Sequence, residues 1–536
     1  MRLPRSRAAL AAAGLLLVAP LVASGSAAAA PHPATGPSAA SLGGINVERS
    51  TIPDIQRAMN SHRLSSVRLT AFYLGQIHRL NPKLHAVIDV NKQALVEAAL
   101  SDVRHRLHIT RGPMDGIPIL LKDNVDTRNE PTTAGSLALA HARSGDAFLV
   151  KKLRAAGAVI IGKANLSEWA NFRSSLSSSG WSGVGGQTNN PYVLDRNPCG
   201  SSSGSAAGVS AHLATVAIGT ETDGSVVCPS GQNGDVGIKP TLGLVSRTGI
   251  VPISAEQDTA GPITRNVTDA AVVLSVINGV DPADPATEAS RGHASSDYTQ
   301  FLDPNALRGK RIGVWTDVTG GNSPETDAVF QQFIAQLKSM GATPVVVDLP
   351  FQDIVGNNEF PALLNEFKHD INAYLAKTGG QHPADLAGLI AFDNAHADQE
   401  LQFFNQDIFD AAQATSGDLT DPTYLQQRHD ATDAAQRSID ETMKMFDLDA
   451  IAAPTNSPAW KTTLGQGDAF LFGSSGPAAV AGYPSVVVPM GFVGPLPLGV
   501  SIFGGRWDEP NLISFAYSYE QATHVRRAPQ FIPTIG

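Results

Sequence analysis

The stretch NPCGSSSGSAAGVS, from Asn197 to Ser210, places four serines and three glycines between Cys199 and Gly208, directly before an alanine-rich run. Such a stretch can be a linker, a phosphate-binding loop or part of an active site. Its continuation, SAAGVSAHLATVAIGT, is typical of a helix followed by an apolar strand, so the loop is packed inside a domain. No Gly-Lys-Ser/Thr follows in the register that a phosphate loop requires. We therefore interpret the stretch as part of a site inside a folded domain.

Gly200 to Gly204 also match the G-x-S-x-G pattern of the α/β-hydrolase nucleophile elbow, with Ser202 in the nucleophile position. An elbow needs a strand immediately before it, whereas the preceding NNPYVLDRNP contains Asn-Pro turns and predicts an irregular loop. We therefore favour a hydrogen-bonding support role for Ser202. An esterase of the α/β-hydrolase type, using Ser202 with a distant Asp/His pair, is the alternative hypothesis.

A second Gly/Ser turn, GTETDGSVVCP, runs from Gly219 to Pro229, and its Ser225 follows Ser201 by 24 residues. This separation accommodates a loop, a helix, a strand and a turn, so the two serine loops can return to one another. Upstream, GIPILLKDNVDT predicts a buried apolar strand that ends in Lys122. At the end of such a strand, the Lys122 amine is expected to be desolvated.

The wider pattern alternates helices with short apolar strands. DAFLVKKLRAAGAVIIGKAN predicts a helix, a stop at Gly157 and a strand, and TDAVFQQFIAQLKSMGATPVVVDL, preceded by KRIGVW, repeats this arrangement. This alternation predicts an α/β architecture with a mixed or parallel sheet. The region from Ser50 to about Leu107 is predicted to be helical, with one helix stopping at Asn81-Pro82.

The composition limits the classes of partner. The chain has 536 residues, of which 42% are hydrophobic and 16% charged, and its formal net charge is −10. Because this balance predicts no broad basic surface, we expect neither extended nucleic-acid binding nor adhesion to anionic lipid. The Pro/Gly-rich joints are too short to separate independent domains, so residues 46–536 are predicted to form one domain.

The first thirty residues are typical of an export signal. Arg2, Arg5 and Arg7 precede the apolar stretch AALAAAGLLLVAPLVA, and SGSAAAA offers small residues for cleavage near Ala30. Residues 31–45 are predicted to be a flexible start of the mature chain. We expect a Sec-type exported protein, extracellular or periplasmic. An uncleaved anchor is the alternative, since the apolar stretch approaches the ~18 residues of a membrane span.

Only two cysteines occur, Cys199 and Cys228, too few for a disulfide scaffold. We favour two small buried apolar residues, and the alternative is a single disulfide bond in the exported protein. No His/Cys/carboxylate cluster has metal-ligand spacing, and neither HExxH nor CxxC appears. We therefore expect no metal and no cofactor.

Taken together, these motifs resemble the amidase signature family, whose core is similar to the serine loop, the GTETDGS turn and the segment GIKPT at 237–241. The resemblance extends over essentially the whole mature chain, through DGIPILLKDN, AGAVIIGKANLSEWA, DTAGPITR, DAIAAPTNSPA and AVAGYPSVVVPMG. The variants NLSEWANFR, CGSSSGSA, TETDGSVVCP and EQDTAG are most similar to the peptide amidase branch. The chain departs from the common pattern at Cys199, Ser203, Glu221, Asp223 and Val227.

The resemblance implies a role for each matching residue. Lys122 matches the general base, Ser201 the bridging serine that follows a cis peptide bond, and Ser225 the acyl-forming nucleophile. A lysine can serve as the base only when burial and neighbouring dipoles lower its pKa toward neutrality. In the turn before the nucleophile, the backbone N–H groups of residues 222–225 would stabilise the oxyanion, which assigns this role to Thr222, Asp223 and Gly224.

The family also implies a single α/β domain with a central mixed sheet covered by helices on both faces. The expected reaction is metal-free hydrolysis of a carboxylic amide with release of ammonia, acting on the C-terminal amide of peptides or on amino-acid amides. The partner would be a small-molecule or peptide amide substrate, with no nucleic acid and no stable membrane association after signal cleavage. The alternatives are a broad aliphatic or aryl amidase and an amidase-like subunit that transfers ammonia on charged transfer RNA.

Several neighbouring residues receive supporting interpretations. Glu221 is expected to be a structural hydrogen-bond acceptor, and Asp258 to fix the loop EQDTAGP. Trp169 and Asn171 are expected either to line the substrate cleft or to pack beneath it. The segment from about Pro282 to Gln466 contains amphipathic pieces that are predicted to fold over the sheet and shape the substrate channel.

Overall fold

The computed structural model describes residues 41–535, so the predicted export signal and most of the predicted flexible start lie outside the described residues. A mixed sheet of eleven strands forms the centre of the described chain. Its strands, in chain order, are β1 Val87–Val90, β2 Pro118–Lys122, β3 Val159–Ala164, β4 Val216–Glu221, β5 Val236–Lys239, β6 Thr259–Thr264, β7 Arg311–Trp315, β8 Thr343–Val347, β9 Ala450–Pro454, β10 Ser485–Val493 and β11 Leu496–Phe503.

Helices flank this sheet. They are α1 Ile52–Asn60, α2 Ser66–Leu84, α3 Ala94–Leu107, α4 Phe148–Ala155, α5 Ser203–Ser210, α6 Val227–Gln232, α7 Val267–Ile277, α8 Pro324–Ser339, α9 Gln352–Leu375, α10 Leu386–Ala395, α11 Asp407–Ala414, α12 Pro422–Phe446, α13 Gly476–Val480 and α14 Glu509–Thr523. Three short two-stranded pairs complete the strands: Ser41–Leu42 with Ile45–Asn46, His141–Arg143 with Gly379–Gln381, and Trp181–Ser182 with Gly186–Gln187.

The strand order across the sheet is β8-β7-β9-β11-β10-β5-β6-β4-β2-β3-β1. Strand β2 runs parallel to β3 and β4, and β7 runs parallel to β8 and β9. The remaining neighbours pair antiparallel. The predicted α/β architecture with a mixed sheet is therefore confirmed.

The parallel strands β2, β3 and β4 are buried along their whole length. Continuous apolar runs are expected for strands that are covered on both faces. The prediction of a buried strand that ends at Lys122 is confirmed. The predicted helix and strand that follow are confirmed as α4 and β3, and Gly157 between them has a φ of +84°.

The predicted stop at Asn81-Pro82 is wrong, because α2 continues to Leu84. Pro82 has no N–H to donate to the preceding turn, and the helix ends two residues after it. The helix ends where the N–H of His85 donates to Asn81 O at 2.8 Å, and the Asn81 side-chain oxygen accepts from the N–H of Val87 at 2.9 Å. This turn leads the chain directly into β1, an edge strand that interrupts the region predicted to be helical.

A second apolar cluster lies around α9, α10 and α11. Phe367 of α9 and Phe409 of α11 stack at 5.4 Å between ring centroids, and Trp169 contacts Phe409 at 5.6 Å. The segment 282–466 therefore does provide helices outside the sheet, but it also supplies β7, β8 and β9 to the sheet itself. None of the helices within residues 41–535 is long and apolar enough to cross a membrane.

Candidate active site

Lys122, the last residue of β2, lies at the centre of the candidate site. Its side chain is fully buried, and Nζ lies 2.7 Å from Ser201 Oγ. The same nitrogen lies 3.1 Å from the carbonyl oxygen of Thr220 and 2.9 Å from Thr220 Oγ1. Thr220 belongs to β4, which runs parallel to β2, so the sheet itself brings these groups together.

Burial lowers the pKa of Lys122 to about 7, and the negative charges of Asp258 and Glu221 oppose this effect only in part. A neutral amine has two N–H donors and one lone pair. Two donors directed at the oxygens of Thr220 leave the lone pair facing the hydroxyl of Ser201. The same three contacts also suit an ammonium ion with three N–H donors, so the lowered pKa, and not the contacts, favours the neutral form.

Ser201 follows a cis peptide bond, Gly200–Ser201, as the family resemblance implies. The Ser201 side chain is fully buried. At Gly200 a Cβ atom would lie 2.2 Å from Ser167 Oγ, so no other residue fits there without a shift of the neighbouring loop. The Ser201 carbonyl accepts a hydrogen bond from the N–H of Ser167 at 3.1 Å, which attaches the serine loop to the segment after β3.

Ser202 is fully buried and connects the two serine loops. Its hydroxyl donates to Thr220 O at 3.1 Å and accepts from Thr220 N–H at 3.2 Å, while its own N–H donates to Ser225 O at 3.2 Å. A hydroxyl engaged in this way cannot be the exposed nucleophile of an elbow. The geometry fits the support role predicted for Ser202.

Ser225 lies in the turn between β4 and α6, and unlike Lys122 and Ser201 it retains an exposure of 8%. Its Oγ has no hydrogen-bond partner within residues 41–535. The backbone N–H groups of residues 222–225 likewise donate to no group of that part of the chain. Four consecutive N–H groups beside an accessible hydroxyl are therefore available to bind an anion.

Two buried carboxylates, those of Asp258 and Glu221, accept hydrogen bonds from the turn that carries Ser225 and from the residues after it. Thr222 Oγ1 donates to Asp258 Oδ1 at 2.6 Å, and Asp258 Oδ2 accepts from the N–H groups of Ile253 and Ser254. Glu221 Oε2 accepts from the N–H of Val226 at 2.7 Å and of Val227 at 3.0 Å. Both carboxylates occupy the structural roles expected for them.

A disulfide bond joins Cys199 and Cys228. The prediction of two unpaired buried cysteines is therefore wrong, and the alternative, a single disulfide bond, is present. The two loops bring the Cα atoms of the cysteines to 6.0 Å from each other, which allows the bond to form. Cys199 lies two residues before Ser201, and Cys228 lies three residues after Ser225. The disulfide therefore connects the two serine loops covalently next to the candidate site.

Two acidic side chains lie close to the nucleophile turn. Asp223 is exposed to solvent, and the protein around its carboxylate desolvates it and raises its pKa. Glu359 of α9 accepts a hydrogen bond from Gln257 Nε2 at 2.6 Å. Burial and the charge of Asp223 raise the pKa of Glu359 to about 8. At neutral pH the protonated form of Glu359 is therefore favoured.

The structure also gives the surroundings of Trp169 and Asn171, the two residues with open interpretations. Trp169 is buried and packs on Phe409. Asn171 is half-buried and donates to Ser179 Oγ at 3.3 Å. Within residues 41–535, no group of three or more His, Cys, Asp or Glu side chains is arranged to hold a metal ion.

Sequence reasoning missed three residues of the site. Thr220 contacts Lys122, Asn124 Nδ2 donates to Thr220 Oγ1 at 2.9 Å, and Glu359 lies beside Asp223. Thr220 and Asn124 belong to the motifs GTETDGS and KDN, so their positions could have indicated them. Nothing in the sequence near Glu359 distinguishes it from any other helical glutamate.

Comparisons with known proteins show the family to which the chain belongs. The Amidase family model matches residues 68–513. A probable amidase of Arabidopsis thaliana is 42% identical over 502 residues, covering 91% of this chain and 93% of the plant protein. One subunit of the glutamyl-tRNA(Gln) amidotransferase of Symbiobacterium thermophilum is 33% identical over 483 residues, covering 88% of this chain and 96% of the bacterial protein.

Among solved structures, the native peptide amidase of Stenotrophomonas maltophilia superposes with a TM-score of 0.86 at 49% identity, covering 90% of this chain and 99% of that one. The family resemblance drawn from the motifs is thus confirmed. Because the family model spans most of the chain and amidases match along nearly their whole length, the chain belongs to the amidase signature family and is a hydrolase that acts on amides.

Proposed function

We propose that Ser225 is the nucleophile, Ser201 the bridging proton carrier and Lys122 the general base of this hydrolase. A serine hydroxyl attacks a carbonyl carbon well only while a base removes its proton. The observation that carries the proposal is the contact of 2.7 Å between Lys122 Nζ and Ser201 Oγ, made by a fully buried lysine whose pKa is lowered to about 7.

In the first half-reaction, Ser225 Oγ bonds to the amide carbon while its proton passes to Ser201 Oγ and the proton of Ser201 passes to Lys122 Nζ. The tetrahedral intermediate then collapses and the C–N bond breaks. The departing nitrogen takes a proton back through Ser201, so that ammonia leaves and an acyl-ester on Ser225 remains. Water, deprotonated by the same relay, hydrolyses this ester to the carboxylic acid.

The oxyanion of both tetrahedral intermediates would bind the free N–H groups of Thr222, Asp223 and Gly224 together with that of Ser225. Donors held in place before the reaction need no reorganisation, and the loss of one such donor commonly costs about 10²–10³ in rate. Backbone donors tolerate changes in side chains, which explains how Asp223 can replace the glycine of the common pattern.

The test of the mechanism uses Ser225→Ala, Ser201→Ala and Lys122→Met with ammonia release as the readout. We expect no turnover in the first, a severe loss with residual activity in the second, since water can replace the bridging hydroxyl, and a loss of about 10²–10⁴ in the third. Mass spectrometry of quenched wild type should find the acyl group on Ser225. Near-normal activity of Lys122→Met, or acylation of Ser202, would disprove this assignment.

For the substrate, we propose the terminal carboxamide of peptides or amino-acid amides. The support is the 49% identity to a peptide amidase together with the local variants NLSEWANFR and TETDGSVVCP. A cleft that closes beyond the scissile carbon would accept an NH₂ leaving group and exclude a continuing chain, because a steric clash discriminates more sharply than one missing contact.

The substrate test compares kcat/KM for an amidated dipeptide, the same dipeptide as free acid and a simple fatty or aromatic amide. Rapid ammonia release from the amidated dipeptide with no internal cleavage is the expected result. A preference for the simple amide would favour the broad amidase. Activity of the purified single chain would also exclude a transfer-RNA-dependent role, which the 33% identity to part of an amidotransferase raises.

We further propose that the protein is exported and needs no cofactor. The charged and apolar pattern of residues 1–30 supports export, and the disulfide bond fits an oxidising compartment. N-terminal sequencing of secreted material should find a start near Pro31. Activity should survive exhaustive chelation, and a loss that zinc restores would contradict the cofactor-free proposal.

A further inference from the structure

Helix α3 has an inverted amphipathic pattern. Its inward-facing residues are small or polar, namely Ala94, Ala98, Ser101 and His105. Its outward-facing residues are large and aliphatic, and together with Ile109 just beyond the helix they form a surface that we call the α3 stripe: Leu95, Val96, Leu100, Val103, Leu107 and Ile109.

Each residue of the α3 stripe is between 42% and 61% exposed. Within the helix, Val96, Leu100, Val103 and Leu107 follow the spacing i, i+4, i+7, i+11, which places them on one face. Single exposed apolar residues are ordinary, but a contiguous group marks an interaction site. We therefore expect the α3 stripe to contact a partner that has an apolar surface.

The stripe lies in the most cationic part of an acidic protein. Residues 61–111 contain eight lysines and arginines against three carboxylates, although the whole chain has a net charge of −10. Helix α2 has no acidic residue. Lys92, Arg106 and Arg111 are exposed along the stripe itself.

The three carboxylates of this part are already engaged. Glu97 pairs with Arg154 at 2.7 Å, Asp102 accepts from the N–H of Val67 at 3.2 Å, and Asp89 accepts from the N–H of Val90 at 2.8 Å. Within residues 41–535, none of the three exposed cations along the stripe forms an ion pair with a carboxylate. The whole-chain balance, from which no adhesion to anionic lipid was expected, conceals this local excess of positive charge.

We propose that the α3 stripe is a docking surface for an anionic lipid bilayer, with α3 lying in the plane of the interface. A helix with aliphatic residues on one face and cations beside them binds lipid through apolar burial together with attraction to anionic headgroups. A second copy of the chain is a poorer occupant, since a two-fold contact would place the same cations against each other. This surface is independent of the proposed catalytic residues.

The test measures binding of the purified protein to vesicles of phosphatidylcholine alone and of an equimolar mixture with phosphatidylglycerol. All variants must share one N-terminus, established by sequencing, because the apolar stretch of residues 1–30 would itself bind lipid. We expect binding to the mixed vesicles that weakens at high salt, and little binding to phosphatidylcholine alone.

Two triple variants separate the contributions. L100Q/V103Q/L107Q should weaken binding on the order of tenfold or more, and K92Q/R106Q/R111Q by roughly fivefold for each cation removed. The control L425Q/M445Q changes two exposed apolar residues of α12 and should bind as wild type. All variants should hydrolyse a soluble amide normally, which shows that they are folded.

Equal binding to both kinds of vesicle, or wild-type binding by L100Q/V103Q/L107Q, would overturn the proposal. So would sedimentation showing a dimer that this variant dissociates, since the stripe would then be an interface between two copies.

Discussion

The role proposed for Lys122 depends on its charge. The side chain is fully buried, and within residues 41–535 no carboxylate lies within ion-pair distance of Nζ. Each pKa unit corresponds to about 1.4 kcal/mol, so the protein stabilises the neutral amine, relative to the ammonium ion, far more than water does. Burial without a counter-ion is thus what would allow Lys122 to act as a base near neutral pH.

A first prediction follows for the pH dependence. The neutral amine is the active form, so kcat/KM should be low at acidic pH, where Lys122 is protonated. It should rise with increasing pH, with a midpoint near pH 7. Lys122→Arg should be as inactive as Lys122→Met, since a guanidinium keeps its proton. A pH profile that is flat between 5 and 9 (roughly two units either side of the midpoint) would contradict the prediction.

Stability provides a readout of the same lysine without turnover. The folded-state pKa lies below the unfolded value of 10.5, so between about pH 7 and 10.5 the unfolded chain binds the additional proton. The contribution of Lys122 to the free energy of unfolding therefore increases as the pH rises through this range. Denaturant titrations should show a smaller increase in Lys122→Met than in wild type. The increase that remains in the variant comes from other groups such as Lys239, whose pKa burial lowers to about 8.

Thr220 leads to a second prediction. Its hydroxyl accepts from Lys122 Nζ and Asn124 Nδ2, so Thr220→Val should leave one amine hydrogen unpaired and free the amine to rotate away from Ser201. We expect kcat to fall roughly tenfold with KM nearly unchanged. Thr220→Ser, which keeps the hydroxyl, is the matched control and should retain most activity. Equal losses in both variants would show that the methyl group, and not the hydrogen bond, is important.

Among the structural elements, the two serine loops depend on each other. They are connected by the hydrogen bond between Ser202 and Ser225 and by the Cys199–Cys228 disulfide. The disulfide closes a loop with a sequence separation of 29 residues. In the chain-entropy model, such a closure stabilises the folded state by about 2–4 kcal/mol.

A third prediction is that C199A/C228A loses about 2–4 kcal/mol in free energy of unfolding and has lower activity at elevated temperature. Reductant should destabilise wild type by a similar amount and leave the double variant unchanged, which separates reduction of this disulfide from other effects. Wild-type stability that is insensitive to complete reduction, verified by thiol titration, would show that the disulfide does not hold the loops.

The elements also show what a single sequence can predict. The strand ending at Lys122 and the helix after Ser202 were predictable because they lie in short apolar or alanine-rich runs of the sequence. The continuation of α2 past Pro82 was not, since it depends on Asn81 closing the turn into β1. Short-range patterns thus locate elements, whereas their ends depend on contacts with residues outside the element.

For the whole molecule, the residues that the sequence did not reveal are those whose partners are distant along the chain. Cys199 and Cys228 meet only because two loops converge, and Glu359 approaches Asp223 from a helix outside the sheet. The local excess of positive charge around α3 is not visible in the net charge of the whole chain, which is −10. Family motifs supplied Lys122, Ser201 and Ser225, but the residues that hold them in place required the three-dimensional structure.

One such long-range connection joins the helices outside the sheet to the nucleophile turn. Arg428 of α12 forms a bidentate pair with Glu366 of α9, both bonds measuring 2.6 Å. Arg428 also donates to Gln257 Oε1 at 3.0 Å, and Gln257 Nε2 donates to Thr222 O at 3.0 Å. The position of Thr222 therefore depends on an ion pair contributed by two helices of the outer layer.

The fourth prediction concerns this pair. Arg428→Met leaves the buried carboxylate of Glu366 without its partner, so the free energy of unfolding should fall by about 3–5 kcal/mol, and kcat should fall because Gln257 no longer holds the turn. E366Q/R428M removes the uncompensated charge and should recover part of the stability but not the activity, since Gln257 still lacks its donor. A double-mutant cycle in urea, combined with kcat for an amide substrate, measures both quantities. If the double variant recovers full activity, the connection from α12 to Thr222 has no catalytic role, and the ion pair serves stability alone.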